Sequence, residues 1–132
     1  MNYWMVKTEP SSYSWDDFSK KGEDIWDGVR NYQARNFLKE MQQGDPVLFY
    51  HSGKDKSVVG VAEVSTEAFP DPKDAAWVAV SLKTKQVLKN PVTLETIKSE
   101  DVLSEMLMLR QSRLSVMSVT KEEFNLILNL SK

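Results

Sequence analysis

Cysteine is absent from the 132-residue sequence, and histidine occurs once, at position 51. The first absence excludes a disulfide framework, a thiolate nucleophile and a zinc site with cysteine ligands. The second leaves no pair of histidines to bind a metal or to catalyse a reaction together. We therefore expect neither a metal nor a cofactor. A lone histidine more often has a structural role, but His51 and Ser52 close a predicted strand, where groups of a binding pocket often lie.

Long apolar segments are absent as well. No run approaches the roughly 20 residues that cross a bilayer, and the first residues lack the basic region and apolar segment of a secretory signal. We therefore expect no membrane partner, and a location in the cytoplasm, or in the nucleus if the source is eukaryotic. The length fits one domain spanning residues 1–132 with a sizeable core, and we expect a monomer.

Catalytic signatures are missing too. The sequence has no Gly-x-Ser-x-Gly, no phosphate-binding glycine loop and no metal-ligand spacing. A non-catalytic binding module is therefore favoured over an enzyme. The alternative is a hydrolase or glycosylase-like enzyme acting on a modified nucleoside or nucleotide, with Asp27 or Glu9 as its base. A third class, an adaptor without a small pocket, would need a large exposed apolar patch.

Positive charge is sparse, but arginine is clustered. The net charge is −2 and the isoelectric point is about 5.5, which disfavours broad binding to duplex backbone, because such binding neutralises several phosphates. The guanidinium fork suits both phosphate and stacking. The arginines fall in two short clusters and are candidates to hold a nucleic-acid backbone: Arg30, Arg35, Arg110 and Arg113. Structural ion pairs with Asp27 or Glu9 are the alternative interpretation.

Residues 26–36 are the most informative segment. They combine an indole, a carboxylate, a glycine, two guanidiniums and several amides. Asn31 is predicted to cap a helix over residues 31–41, whose apolar face would comprise Ala34, Phe37, Leu38 and Met41. The preceding loop would then lie at the positive end of that helix, where anions and polar ligand edges are stabilised. A well-packed turn before an amphipathic helix is the alternative interpretation.

Hydrophobic alternation and turn signals divide the remaining chain into strands and short helices. Strands are predicted over residues 3–7, 45–51, 58–64, 77–88 and 114–119, of which 3–7 and 58–64 are expected to be inner strands of the sheet. Helices are predicted over residues 14–21, with Ser14 as cap, over 93–99 and 100–107, and from 120 onward, where Thr120 and Glu123 resemble a capping box. Residues 69–72 contain two prolines and predict a rigid loop, whereas Gly60 predicts a bulge or a close backbone approach. This irregular mixture indicates an α+β domain.

Several motifs spread over essentially the whole chain carry a family resemblance. They are Tyr3-Trp4-Met5-Val6-Lys7-Thr8-Glu9-Pro10, residues 26–36, Phe49-Tyr50-His51-Ser52, Phe69-Pro70-Asp71-Pro72, Pro91-Val92-Thr93-Leu94, Ile97-Lys98 and Arg110-Gln111-Ser112-Arg113-Leu114-Ser115-Val116. Together they resemble the EVE domain family. That family is similar to the PUA-like superfamily, which includes YTH readers of methylated adenine and SRA readers of methylated cytosine. The resemblance implies a PUA-like curved, mostly antiparallel β-barrel flanked by short helices.

The resemblance also implies a pocket for a modified base in DNA or RNA, with modified cytosine as first candidate and methylated adenine as second. Trp26 matches one wall of the YTH aromatic cage, Phe69 and Pro70 are candidates for the second wall, and Asp27 and Asn31 would read the base edge. The base would be extruded from its stack. The expected ligand-binding residues are Lys7, Thr8, Glu9, Trp26, Asp27, Gly28, Val29, Asn31, His51, Ser52, Phe69 and Pro70.

Overall fold

A computed structural model describes all residues, 1–132. Its strands are β1 (Tyr3–Thr8), β2 (Glu23–Trp26), β3 (Pro46–His51), β4 (Ser57–Asp71), β5 (Asp74–Thr93) and β6 (Val116–Val119). Its helices are α1 (Trp15–Lys21), α2 (Tyr32–Glu40), α3 (Leu94–Ser99), α4 (Leu107–Arg110) and α5 (Lys121–Leu130), with one 3₁₀ turn at Asp101–Leu103. None of these helices has the length and apolar character needed to cross a membrane.

The six strands form one sheet in the order β2-β5-β4-β3-β1-β6. Only β1 and β3 pair in parallel; every other pair is antiparallel. The predicted curved, mostly antiparallel sheet of an α+β protein is thus confirmed, and β1 and β4 are inner strands as expected. One detail differs from the expected barrel. The sheet does not close, since β2 and β6 remain its two edges.

Bulges bend this sheet. The register between β4 and β5 shifts at five points, and the register between β3 and β4 shifts between Phe49 and Tyr50. Each bulge adds a local bend and extra twist to its strand. Gly60 lies at one of these shifts, and a Cβ at this position would come within 2.6 Å of the Trp15 ring. The prediction of a bulge with close approach is confirmed, because only glycine lets the indole pack directly on the strand.

Helix boundaries follow local capping, as the sequence predicts. Ser14 begins α1 in a capping box with Asp17, and Thr120 begins α5 in a second one with Glu123. Asn31 caps α2 by accepting a hydrogen bond from the Ala34 backbone N–H at 2.9 Å. These caps fix where the chain enters each helix, and the Asn31 cap fixes the end of the loop that precedes α2.

Other boundaries differ from the prediction. Residues 23–26 form the edge strand β2 rather than the start of a loop, and β4 continues through residues 69–71, where a loop was expected. Residues 100–107 do not form one helix, because the 3₁₀ turn Asp101–Leu103 is separate from α4. The strand corrections share a physical reason. Residues 23–26 and 69–71 both pair with β5, and local sequence does not show that pairing.

Candidate functional site

A cavity of about 370 Å³ opens where the two ends of the curved sheet approach each other. One side comes from the edge strand β2 and the loop that follows it, and the other comes from the end of β1 and the residue just before β6. Its lining residues are Lys7, Thr8, Tyr13, Asp24, Ile25, Trp26, Asp27, Gly28, Val29, Arg30 and Ser115. The cavity therefore lies in the gap that the open sheet leaves.

Trp26 provides a fixed aromatic surface at this cavity. Its ring is half-buried and packs nearly edge-on against Phe18 and Phe49, with ring centroids 6.4 and 5.6 Å apart. Tyr13 approaches Trp26 at 6.1 Å and 63°, so the two rings form an aromatic corner. Edge-to-face packing of this kind stabilises a defined ring orientation. The indole is therefore held in place before any ligand arrives.

A hydrogen-bonded acid lies beside that corner. The Tyr13 hydroxyl donates to Asp24 Oδ2 at 2.5 Å, and Lys21 Nζ lies 3.2 Å from the same oxygen. Burial and then this contact with Asp24 raise the pKa of Tyr13. Burial alone would raise the pKa of Asp24, but hydrogen bonds from Tyr13 and Lys21 outweigh it and lower that pKa. Asp24 is thus a charged acceptor that orients the Tyr13 ring.

The loop between β2 and α2 is tied down by a buried acid. Asp71, whose side chain has no exposed surface, accepts from Gly28 N at 2.9 Å, Lys73 N at 2.7 Å and Arg30 Nη1 at 3.0 Å. Burial opposes ionisation, yet these hydrogen bonds lower the pKa of Asp71 to about 2. Gly28 has a φ of +77°, which favours glycine. Asp71 therefore fixes the loop that carries Asp27 to the cavity.

The facing wall is built from β1. Lys7 is half-buried, and its Nζ donates to Ser112 O at 3.2 Å and lies 5.6 Å from the centre of the Tyr50 ring. Burial lowers the pKa of Lys7. The Thr8 hydroxyl donates to Tyr13 O at 2.9 Å. This wall therefore supplies one cation and one hydroxyl, both already anchored to neighbouring backbone.

The structure brings about half of the expected ligand-binding residues together. Six of them line the cavity: Lys7, Thr8, Trp26, Asp27, Gly28 and Val29, and the expected backbone contact Arg30 joins them. The other six do not line it: Glu9, Asn31, His51, Ser52, Phe69 and Pro70. The expected second aromatic wall is replaced. Phe69 and Pro70 pair with Ala79 and Val78 inside the sheet, and Tyr13 takes that position.

Two of these six residues have clear local roles. His51 Nε2 accepts from the Trp15 N–H at 2.9 Å, and its Nδ1 lies 3.0 Å from Asp55 Oδ2. The acceptor role requires an unprotonated Nε2, so this histidine links α1 to the hairpin after β3. The amide oxygen of Asn31 is used by the helix cap. The His51 ring and the Asn31 amide oxygen are therefore engaged within the protein.

Sequence reasoning missed four cavity residues and one supporting residue. Tyr13, Asp24, Ile25 and Ser115 line the cavity, but they come from distant or locally unremarkable parts of the chain. Asp71 carried no usable signal, because Asp and Pro are common turn residues and Pro70-Asp71-Pro72 predicts an ordinary turn. Its role as the anchor depends on hydrogen bonds from Gly28 and Arg30, which are distant in sequence.

A second, polar groove lies next to the cavity. It has a volume of about 370 Å³ and is lined by Asn31, Gln33, Arg110, Gln111, Ser112, Arg113 and Leu114. Residues adjacent in sequence line the two sites, since Arg30 and Ser115 face the cavity while Asn31 and Leu114 face the groove. Arg110 pairs with Glu105 at 3.2 Å, with both side chains largely exposed. Arg113 is exposed and makes no ion pair.

The arrangement suits recognition of a flat polar molecule. The aromatic corner offers a surface for stacking a bound ring. At the polar edge of that ring, Asp24 and Asp27 offer acceptors and Lys7 offers a donor. No group of three or more His, Asp or Glu side chains is placed to hold a metal ion. The curved α+β sheet, which leaves a cavity between its two ends, has a PUA-like fold. ASCH from Zymomonas mobilis, only 14% identical, shares this fold with a TM-score of 0.59.

The comparisons identify the family. The EVE domain model matches residues 2–130, and the chain belongs to the EVE domain family. Mouse thymocyte nuclear protein 1 is 33% identical over 167 residues, covering 99% of this chain and 74% of that protein. A solution structure from Rhodopseudomonas palustris is 44% identical, with a TM-score of 0.95, 99% of this chain and 93% of that chain being covered. The structure of human THYN1 bound to DNA containing 5-methylcytosine is 28% identical, with a TM-score of 0.94, 100% of this chain and 98% of that chain being covered.

Proposed function

We propose that this protein is a non-catalytic reader of a modified base in DNA or RNA, and that the base enters the cavity beside Trp26. The aromatic corner of Trp26 and Tyr13 carries this proposal, because stacking on a base contributes about 1–3 kcal/mol. The cavity of about 370 Å³ lies within the range of small-molecule sites. Human THYN1, a member of similar fold, was captured with DNA containing 5-methylcytosine, which makes modified cytosine the first candidate.

Polar groups around the ring would select the base. Asp27 lines the cavity with its side chain partly exposed, and its one ion pair is with Lys73 at 3.7 Å. A carboxylate accepts from the exocyclic amine of cytosine, so Asp27 is the residue that we expect to read the base edge. Asp24 is occupied by Tyr13 and Lys21 and would act by orienting the aromatic corner. Extrusion of the base costs a few kcal/mol, so an unpaired base should bind best.

The polar groove would hold the flanking backbone. Its arginines, Arg110 and Arg113, lie beside the cavity, where the phosphate next to an extruded base would pass. Arg30 has a different role, since its guanidinium is bonded to Asp71 and Val29 O. It positions the loop more than it clamps a phosphate.

A panel of titrations tests the proposed function. Oligonucleotides of one sequence would carry cytosine, 5-methylcytosine, adenine or methylated adenine at one central position, as single-stranded DNA and as RNA. Tighter binding of one modified member than of its unmodified counterpart supports a reader. Equal binding of all members contradicts it. Chromatography of the incubated oligonucleotides addresses the enzymatic alternative, because a new product would identify a hydrolase or glycosylase.

Salt dependence should be shallow. About two to four phosphates would be neutralised, so log K should fall against log salt with a slope near −2 to −4. Arg113→Ala should reduce the magnitude of that slope by about 1. Titrations at salt concentrations between about 50 and 200 mM, roughly a fourfold range, would measure this slope. Lys121→Ala, at the start of α5 beyond the opposite end of β6, is the control and should leave the slope unchanged. An unchanged slope for Arg113→Ala would remove the backbone role of the groove.

A further inference from the structure

An exposed aromatic surface lies outside the cavity, next to Arg30 in its lining. Tyr32 and Trp77 stack with ring centroids 5.1 Å apart and planes tilted by 32°. Tyr32 is 66% exposed, although it is the first residue of helix α2, whose Ala34 and Leu38 are buried in the core. Neither residue lines the cavity or the polar groove. We call these two rings and the arginines against them, Arg30 and Arg35, the aromatic platform.

Two guanidiniums pack on the platform rings, and one of them, Arg35, makes the surface positive, since Arg30 is paired with Asp71. The Arg35 guanidinium lies 4.8 Å from the Tyr32 ring centre and 5.3 Å from that of Trp77, while Arg30 lies 5.7 Å from Trp77. Arg35 Nη1 donates to Ala76 O at 3.1 Å, and its buried Nε has no partner. Arg35 makes no ion pair, so its charge is not neutralised by the protein. The unpaired charge of Arg35 beside the rings favours a ligand that carries a negative charge, such as a phosphate.

The platform is continuous with the cavity through one residue. Arg30 lines the cavity, bonds to the loop anchor Asp71 and stacks on Trp77. If one base of a strand lies in the cavity, the adjacent nucleotide of that strand would therefore lie near the platform. An aromatic face bordered by arginine is a common surface for stacking successive unpaired bases.

We propose that the aromatic platform stacks an unpaired base of single-stranded nucleic acid adjacent to the base held in the cavity. The inference rests on the proposed function for its ligand, but the platform itself stacks any base, since every base has an aromatic face. It therefore adds affinity for a strand without adding preference for the modification. The positive charge of Arg35, which no acid of the protein pairs with, suits the adjoining phosphate.

Tyr32→Ala tests this surface with three probes. They are 5-methyldeoxycytidine monophosphate, a single-stranded 12-mer with one central 5-methylcytosine and the same unmodified 12-mer, the length being about what one such site spans. We expect Tyr32→Ala to bind both 12-mers about five- to 150-fold more weakly, the equivalent of one lost stack. The mononucleotide should bind as it does to the parent. Tyr32→Phe, which keeps the ring, should restore strand binding.

Val87→Ala is the matched control, because Val87 is also 66% exposed and lies elsewhere on the sheet. It should leave all three affinities unchanged. A second readout places 2-aminopurine on either side of the central base. Stacking on the platform should quench its fluorescence at one of the two positions when the parent binds, and much less when Tyr32→Ala binds. Circular dichroism checks that the variant is folded.

The outcomes separate this inference from the proposed function. If the parent binds both 12-mers equally and Tyr32→Ala weakens both, the reader function fails and the platform stands. If Tyr32→Ala binds both 12-mers as the parent does, the platform is overturned. The platform is also overturned if Tyr32→Ala weakens binding of the mononucleotide as much as binding of the 12-mers, because Tyr32 would then act through the cavity. It is overturned as well if the parent protein binds no single strand.

Discussion

Trp26→Ala is expected to weaken binding of a modified oligonucleotide about five- to 150-fold, since one stacking contact contributes about 1–3 kcal/mol. The ring also packs on Phe18 and Phe49, so its removal should lower the free energy of unfolding by roughly 2–3 kcal/mol for a half-buried aromatic. Anisotropy titration measures the first effect and denaturant unfolding the second. Because stacking serves any base, modified and unmodified targets should both bind more weakly wherever both enter the cavity.

Asp27→Asn is the informative companion of Trp26→Ala. It keeps the shape of the side chain but replaces an acceptor with a group that both donates and accepts. The preferred base edge should change, so the ratio of modified to unmodified affinity should shift while overall affinity falls little. If Trp26→Ala and Asp27→Asn both remain folded and both bind as the parent does, the base does not enter this cavity.

Asp71→Ala should lower both stability and ligand affinity, although Asp71 does not line the cavity. It leaves the backbone N–H groups of Gly28 and Lys73 without their acceptor, and it removes the partner of Arg30. We expect the free energy of unfolding to fall by about 2–3 kcal/mol, since Arg30 is 37% exposed and water can partly replace the lost contact. Ligand affinity should fall as well, because the loop carrying Asp27 loses its anchor.

The effect of Asp71→Ala should depend on pH. The pKa of Asp71 is lowered to about 2 in the folded protein from an ordinary value of 3.8, so its stabilisation is complete above roughly pH 4 to 5 and is lost as pH falls towards 2. Denaturant midpoints of the parent and the variant should therefore converge in acid. Asp16→Ala, an exposed acid in the first turn of α1, is the control and should cost little. A parent–variant difference that persists unchanged in acid would contradict the buried-carboxylate explanation.

The sequence predicted those features that depend on neighbours in the chain. The caps at Ser14, Asn31 and Thr120 and the close approach at Gly60 follow from residue types at fixed local spacing. Strand extent was predicted less well. The outer parts of β4 and β5 are polar and exposed, and they are strands only because the two halves of one long hairpin pair with each other.

The residues of the candidate site also divide into those that the local sequence predicts and those that only the fold brings to the cavity. Residues 26–30 are contiguous, and their unusual chemistry was visible in the sequence. Tyr13 and Ser115 reach the cavity only because the sheet curves far enough to bring its two ends together. Asn31 shows the converse: two roles were compatible with the sequence, and the cap to Ala34 took precedence because it satisfies a backbone N–H within the same turn.

The open sheet has a consequence for how this family can change its ligand. The cavity is the gap between two sheet ends, so its width is set by the accumulated bends of β3, β4 and β5 rather than by its lining residues alone. An added or removed bulge far from the ligand would widen or narrow that gap. Such a change would alter the size of the ligand that the cavity accepts while Trp26 and Asp27 stay in place, so two proteins with identical lining residues need not share a ligand.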